Sequence, residues 1–119
     1  MPDESTTVAA LREAVRRFAA ERAWEPYHSP KNLSMALAAE VAELMEHFLW
    51  IDSEASREVI SNPARREAIS EEIADIAGLV LNLCNTLGVD LSEAMRAKIA
   101  KNELKYPVDQ YRGRHSVED

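Results

Sequence analysis

The chain is poor in the residues that break a fold or staple it. Three glycines and five prolines in 119 residues are too few for the turns of an all-β domain or for a long disordered tract. One cysteine, Cys84, excludes an internal disulfide. It stands in an apolar run, where a free thiol acts as a small buried hydrophobe, and the expected compartment is reducing and cytoplasmic. Positive charge is short: 14 Lys and Arg stand against 21 Asp and Glu, a net charge of −7. A nucleic-acid polymer wants a basic face, so none is expected as a partner. A small phosphate ligand stays open, because a cation and a few local lysines can override the global charge. No stretch approaches the ~18 consecutive apolar residues that a membrane span needs. The opening "MPDESTTVAA" is acidic and lacks the apolar core of a signal peptide. No membrane partner is expected.

What is present is ordinary for a globular protein: 46% hydrophobic and 29% charged residues, enough chain for one domain with one core. Residues 1–113 are expected to form it, with 114–119 as a polar tail. Four helices are legible. Ser5 to Thr7 offer N-caps to a helix carrying Val8, Leu11, Val15, Phe18 and Ala19 to about Ala23. The loop "WEPYHSPKN" follows. A second helix runs from near Asn32 to about Trp50, and "IDSEASREVISN" is a connector with room for one helical turn. Asn62 as N-cap and Pro63 at the first helical position open a third helix, which ends at Leu87 before Gly88. Asp90 and Glu93 resemble a capping box at the start of a fourth, ending near Leu104. The connectors are short enough for an antiparallel four-helix bundle.

The stretch "LAAEVAELMEHFLW", residues 37–50, carries an anomaly. At 100° per residue, Leu33, Ala36, Leu37, Glu40, Glu43, Leu44 and His47 share one side. Two carboxylates thus lie inside the stripe that should face the core, where an ionised acid needs a partner. The third helix repeats the pattern: Glu72 and Asp75, three apart, share a face with Ile69, Ile76, Leu79 and Leu83. One such pair is usually a solvated face. Two pairs at one spacing, both in apolar stripes, point to four carboxylates converging on one volume, which is tolerable when a divalent cation neutralises them. Oxygen donors without Cys or His favour Mg²⁺, with Mn²⁺ as a substitute, over zinc. A di-iron carboxylate bundle would want Glu-x-x-His on two helices; His47 is preceded three residues earlier by Leu44, and the third helix has no histidine. Glu46 and Glu71 flank the pairs, and Glu71 points about 100° away from Glu72.

These residues resemble a known family. "EVAEL" with Glu40 and Glu43, then "EEIAD" with Glu72 and Asp75, is similar to the E-x-x-E…E-x-x-D motif of the MazG-type all-α nucleotide pyrophosphohydrolases. "FAAERAWEPYHSPKNLSMALAAEVAELMEHFLW", "GVDLSEAMRAKIAKNELKYP" and the Arg112–Gly113 pair look like the dCTP pyrophosphatase branch. The resemblance spans residues 8 to 113. It implies Mg²⁺-dependent hydrolysis of a nucleoside triphosphate to monophosphate and pyrophosphate, with dCTP or a 5-modified dCTP as the expected substrate. It implies that Glu40, Glu43, Glu72 and Asp75 hold the metal and that one of them orients the water. Lys98, Asn102 and Lys105, at i, i+4 and i+7 on the fourth helix, then face the phosphates, with Tyr106 beside them and Arg112 a weaker candidate. Trp24 and Trp50 are the aromatic partners expected for the base, and His28 and Asn32 would position the nucleotide. Val15 and Leu79 stand where related pyrophosphatases can carry polar or aromatic base contacts, a departure that leaves the base preference open.

Met45, Phe48 and Leu49 lie away from the Glu40 face, and Val80, Leu81, Cys84 and Leu87 widen the apolar surface of the third helix. One small bundle cannot cover all of this. The resemblance implies a homotetramer built as a dimer of dimers, with a homodimer as the alternative. Two other readings stay open: a neighbouring pyrophosphohydrolase acting on dUTP, phosphoribosyl-ATP or a broad set of triphosphates, and a non-catalytic helical scaffold that binds nucleotides.

Overall fold

A computed structural model describes residues 1–115; the last four residues of the expected tail, 116–119, lie outside the described part. All regular structure among the described residues is helical. The longer helices are α1 (Val8–Glu21), α2 (Pro30–Glu46), α4 (Pro63–Leu87) and α5 (Leu91–Lys105). Short α3 (Ser53–Glu58) and α6 (Val108–Tyr111) complete the set, with single 3₁₀ turns at Asp3–Ser5, Glu25–Tyr27 and Val59–Ser61. The chain divides into two compact units, Met1–Val89 and Asp90–Asp119.

Capping chemistry fixes the helix starts. The Thr7 hydroxyl accepts from the Ala10 N–H at 3.0 Å and opens α1. Asn62 Oδ1 accepts from Ala64 and Arg65 N–H at 3.0 and 3.3 Å, and Pro63 follows at the first helical position, as expected. Helix α2 starts earlier than the sequence suggests. Ser29 is its cap, accepting from Asn32 N–H at 3.1 Å, and Pro30 opens the helix. The proline that reads as loop punctuation is the first helical residue, where its missing N–H costs nothing. The helix also stops sooner, at Glu46; residues 47–50 are turns. The connector holds α3, capped by Asp52 on Ala55 N–H at 2.8 Å.

In the first unit, α4 is the central element and packs against α1 and, most extensively, α2. The buried apolar residues are Ala19 of α1, Leu33 of α2, and Ile69, Leu81 and Cys84 of α4. Two polar ties set the helices' register. Arg12 Nε donates to Asn85 Oδ1 at 2.9 Å while Asn85 Nδ2 donates back to the Arg12 carbonyl at 3.0 Å. Arg65 donates to the His47 carbonyl at 2.6 Å, joining the end of α2 to the first turn of α4. No single helix among the described residues is long and apolar enough to cross a membrane.

In the second unit, Asp90 caps α5 through Glu93 N–H at 2.9 Å. After α5, α6 brings the Tyr111 ring edge-on to Tyr106 at 5.1 Å between centroids.

Among the helix ends that use the left-handed backbone region, those of α4 and α1 make opposite choices of residue. Gly88 closes α4 at φ 69° and pays no Cβ penalty, whereas Ala23 follows α1 at φ 54°. A non-glycine residue there costs on the order of 1 kcal/mol. The expected outcome is that Gly88→Ala lowers the thermal midpoint by several degrees and Ala23→Gly raises it, read by circular dichroism at fixed protein concentration.

Candidate functional site

The packing of α2 on α4 places the two acidic pairs together. One carboxylate oxygen from each of Glu40, Glu43 and Glu72 lies within 4.8 Å of the others. Asp75 falls outside that close group but is near enough to act on Glu40 electrostatically. Of the four acids expected to converge, the structure therefore gathers three tightly and sets the fourth beside them. Glu43 and Asp75 are exposed, Glu40 and Glu72 partly buried. Glu40 Oε2 and Glu72 Oε2 are fully buried atoms with no hydrogen-bond partner among the described residues.

Two orphaned carboxylate oxygens are a costly feature, since a buried acceptor without a partner loses its hydration with nothing in return. Burial, followed by the neighbouring carboxyls of Glu43, Glu72 and Asp75, pushes the Glu40 carboxyl up to about 7. The donor set is all carboxylate oxygen, the chemistry of a hard divalent cation. The residues fit such an ion, and the orphaned atoms are what it would satisfy.

Next to the acids is a cavity of about 410 Å³. Glu40 and Asp75 form one side of it; Trp24 and His28, from the loop between α1 and α2, form another. The remaining wall comes from Val15 and Phe18 of α1 and from Gly78, Leu79 and Asn82 of α4. Trp24 is held edge-on to Phe18 at 5.7 Å, and Arg22 covers the Phe18 ring at 3.7 Å. The indole is thus fixed at the rim rather than sunk in the core, 44% exposed. His28 meets the Trp24 ring edge-on at 6.4 Å.

The other expected residues scatter more widely. Asn32 sits in the first turn of α2, its side chain donating to the Tyr27 carbonyl at 3.1 Å. It therefore braces the loop that carries His28 and does not line the cavity. Trp50 follows α2 in the turn region, is 93% exposed, and is absent from the cavity wall. Glu46 and Glu71 are exposed to solvent. Lys98, Asn102, Lys105 and Tyr106 belong to the second unit. There Lys98 and Lys105 are exposed, Asn102 is partly buried, and the Lys105 ammonium lies 5.3 Å from the Tyr106 ring centroid.

Gly78 and Asn82 escaped the sequence reading, although a signal was available. Counting from Glu72 at 100° per residue, Asp75, Leu79 and Asn82 form one stripe, with Gly78 at its edge. A glycine at mid-helix costs about 0.5–1 kcal/mol relative to alanine. Its packing here does not require it, because an added Cβ would meet only Val15 Cγ1, at 4.0 Å.

The chain is similar to known proteins over most of its length. The profile of the MazG-like family matches residues 35–117. The chain is 39% identical over 107 residues to dCTP pyrophosphatase 1 of Bos taurus, covering 90% of this chain and 63% of that protein. It is 39% identical over 102 residues to dCTP pyrophosphatase 1 of Homo sapiens, covering 85% and 59%. It thus spans less than two thirds of these curated relatives. A crystal structure of a pyrophosphatase from Archaeoglobus fulgidus superposes with a TM-score of 0.79 at 37% identity, covering 90% of this chain and 98% of that one.

The acid cluster sets a pH dependence. The folded-state Glu40 carboxyl, at about 7, lies above its ordinary 4.5, so the folded chain binds this proton more tightly than the unfolded chain does. Stability contributed by that proton is present at low pH and is lost as pH rises from 4.5 to 7. In a melting series with EDTA, the thermal midpoint should fall over that interval, and Glu40→Gln should flatten the slope and raise the midpoint at pH 8.

Proposed function

This chain belongs to the MazG-like family, and from that premise we propose that it is a Mg²⁺-dependent nucleoside triphosphate pyrophosphohydrolase. It takes a deoxynucleoside triphosphate, dCTP or a 5-modified dCTP first, to the monophosphate and pyrophosphate, and so cleans or balances the nucleotide pool. The observation that carries this reading is the pair of buried, partnerless oxygens on Glu40 and Glu72, set beside a cavity rimmed by an exposed indole.

Glu40, Glu43, Glu72 and Asp75 would hold the metal, Mn²⁺ being able to replace Mg²⁺. When bound, the cation neutralises the repulsion between carboxylates and triphosphate and polarises the scissile phosphorus. One of the four carboxylates orients the attacking water and accepts its proton. Trp24 lends its face to the base, an interaction worth about 1–3 kcal/mol where bases stack on aromatic side chains. His28 positions the nucleotide at the same rim, and Asn32 holds the loop for both. On α5, Lys98, Asn102 and Lys105 share one side of the helix and supply the positive charge and hydrogen bonds that phosphates need, with Tyr106 alongside.

The active form is a homo-oligomer, a tetramer built as a dimer of dimers, with a dimer as the alternative. Met35, Val41 and Met45 support this: they are exposed on the side of α2 opposite Glu40 and Glu43. Trp50, nearly bare in the single chain, is better suited to an interface anchor than to a solvated surface. The free, buried Cys84 suits a reducing, cytoplasmic setting.

Pyrophosphate release from a panel of dNTPs and NTPs should require Mg²⁺ and stop with EDTA. Glu43→Gln should lower kcat by about 10²-fold or more with helicity intact, and Lys98→Ala should act mainly through KM. Release that persists in Glu43→Gln would contradict the assignment of the acids. Light scattering should give a mass of two or four chains.

A further inference from the structure

The stretch of cavity wall that continues along α4 from Asp75 has a feature that neither metal binding nor phosphate binding uses. Asn82 lines the cavity and borders a neighbouring one of about 280 Å³ together with His28. Its carboxamide is partly buried and has no hydrogen-bond partner among the described residues, whereas Asn85, one turn further along, is fully engaged with Arg12. Val15, Ala19, Gly78 and Leu79 around it are apolar, and His28 borders both cavities with it. The amide keeps access to the cavity, and a ligand that fills the cavity must replace its water with hydrogen bonds of its own.

Gly78 belongs to the same wall. Packing leaves room for a methyl group there, yet the helix carries its worst non-proline residue at that point. Apart from Val15 the space in front of Gly78 is open cavity, so a flat ring lying there can approach the helix backbone closely.

We propose that Asn82 is the base-reading residue of this chain and that Gly78 provides the berth for the ring. This rests on the pyrophosphohydrolase reading above and extends it to substrate choice. A carboxamide presents one donor and one acceptor side by side and can turn over to exchange them. It pairs with a pyrimidine edge that offers an amino group and a ring acceptor, as in cytosine. Turned over, it pairs equally with an edge that offers a carbonyl and a ring N–H, as in uracil. Val15 and Leu79 beside it are apolar, and His28, which shares both cavities with Asn82, does not break the tie, because a neutral imidazole can present a donor or an acceptor. The substrate class is therefore the pyrimidine deoxynucleoside triphosphates with relaxed choice between 4-amino and 4-oxo bases.

The test is kcat/KM for dCTP and dUTP with Mg²⁺ on the full chain and on Asn82→Leu and Gly78→Ala, with the Asn82 side-chain amide followed by ¹⁵N NMR during titration with dCMP and dUMP. The wild type should treat the two triphosphates within about tenfold of each other. Asn82→Leu should lose about tenfold or more on both, and both monophosphates should shift the amide resonance. Gly78→Ala should melt higher than the wild type yet lose kcat/KM. A wild-type preference beyond about tenfold would overturn the relaxed choice. Asn82→Leu at wild-type kcat/KM, or an amide that neither monophosphate shifts, would overturn the role of Asn82, and an unimpaired Gly78→Ala that of Gly78. In each of these cases an active wild type leaves the pyrophosphohydrolase reading standing. A folded wild type that releases no pyrophosphate from any nucleotide would remove both.

Discussion

The mutual repulsion of carboxylates brought together by the packing of α2 on α4 is the constraint around which the first unit is organised. The same contact that buries Leu33 and Ile69 forces the Glu40, Glu43 and Glu72 oxygens within 4.8 Å of one another. A sequence selected only for stability would place apolar or paired residues there. Retaining the acids lowers stability, and the chain offsets this elsewhere, with side-chain N-caps on α1, α2 and α4 and with the Arg12–Asn85 and Arg65–His47 ties. Strain at one location and regular structure around it is the pattern expected of a site that awaits a ligand.

The cavity takes its character from where these elements meet. The left-handed turn at Ala23 directs the chain so that Trp24 stands at the rim, and Phe18 with Arg22 keeps it there. Glu40 and Asp75 form a charged side and Val15, Phe18, Gly78 and Leu79 an apolar one, so a ligand that is polyanionic at one end and a flat ring at the other matches both.

Much of this was legible in the residues. Asn62, Pro63 and Gly88 bracket α4 unambiguously, because each acts through a purely local rule. The ends of α2 were not legible, because Ser29–Pro30 looks the same whether the proline ends a loop or begins a helix, and because the apolar run through Trp50 continues past the last helical hydrogen bond. The acidic pairs could be found because an acid inside an apolar stripe is conspicuous. Gly78 and Asn82 extend the stripe that starts at Glu72, but their meaning depends on Val15 and Trp24, remote in sequence and brought to the same cavity only by folding. Trp50, expected as an aromatic partner of the base, is 93% exposed in the single chain and outside the cavity wall.

The central claim is that the orphaned oxygens of Glu40 and Glu72 mark a hard-cation site. Electron paramagnetic resonance of Mn²⁺ titrated with the nucleotide-free protein tests it most directly, because the six-line signal of the free ion disappears on binding. The account predicts saturable loss of signal with the wild type and its persistence with Glu40→Gln and with Glu72→Gln, both folded. A wild-type chain that leaves Mn²⁺ free at millimolar protein, or variants that bind it as the wild type does, would contradict the account.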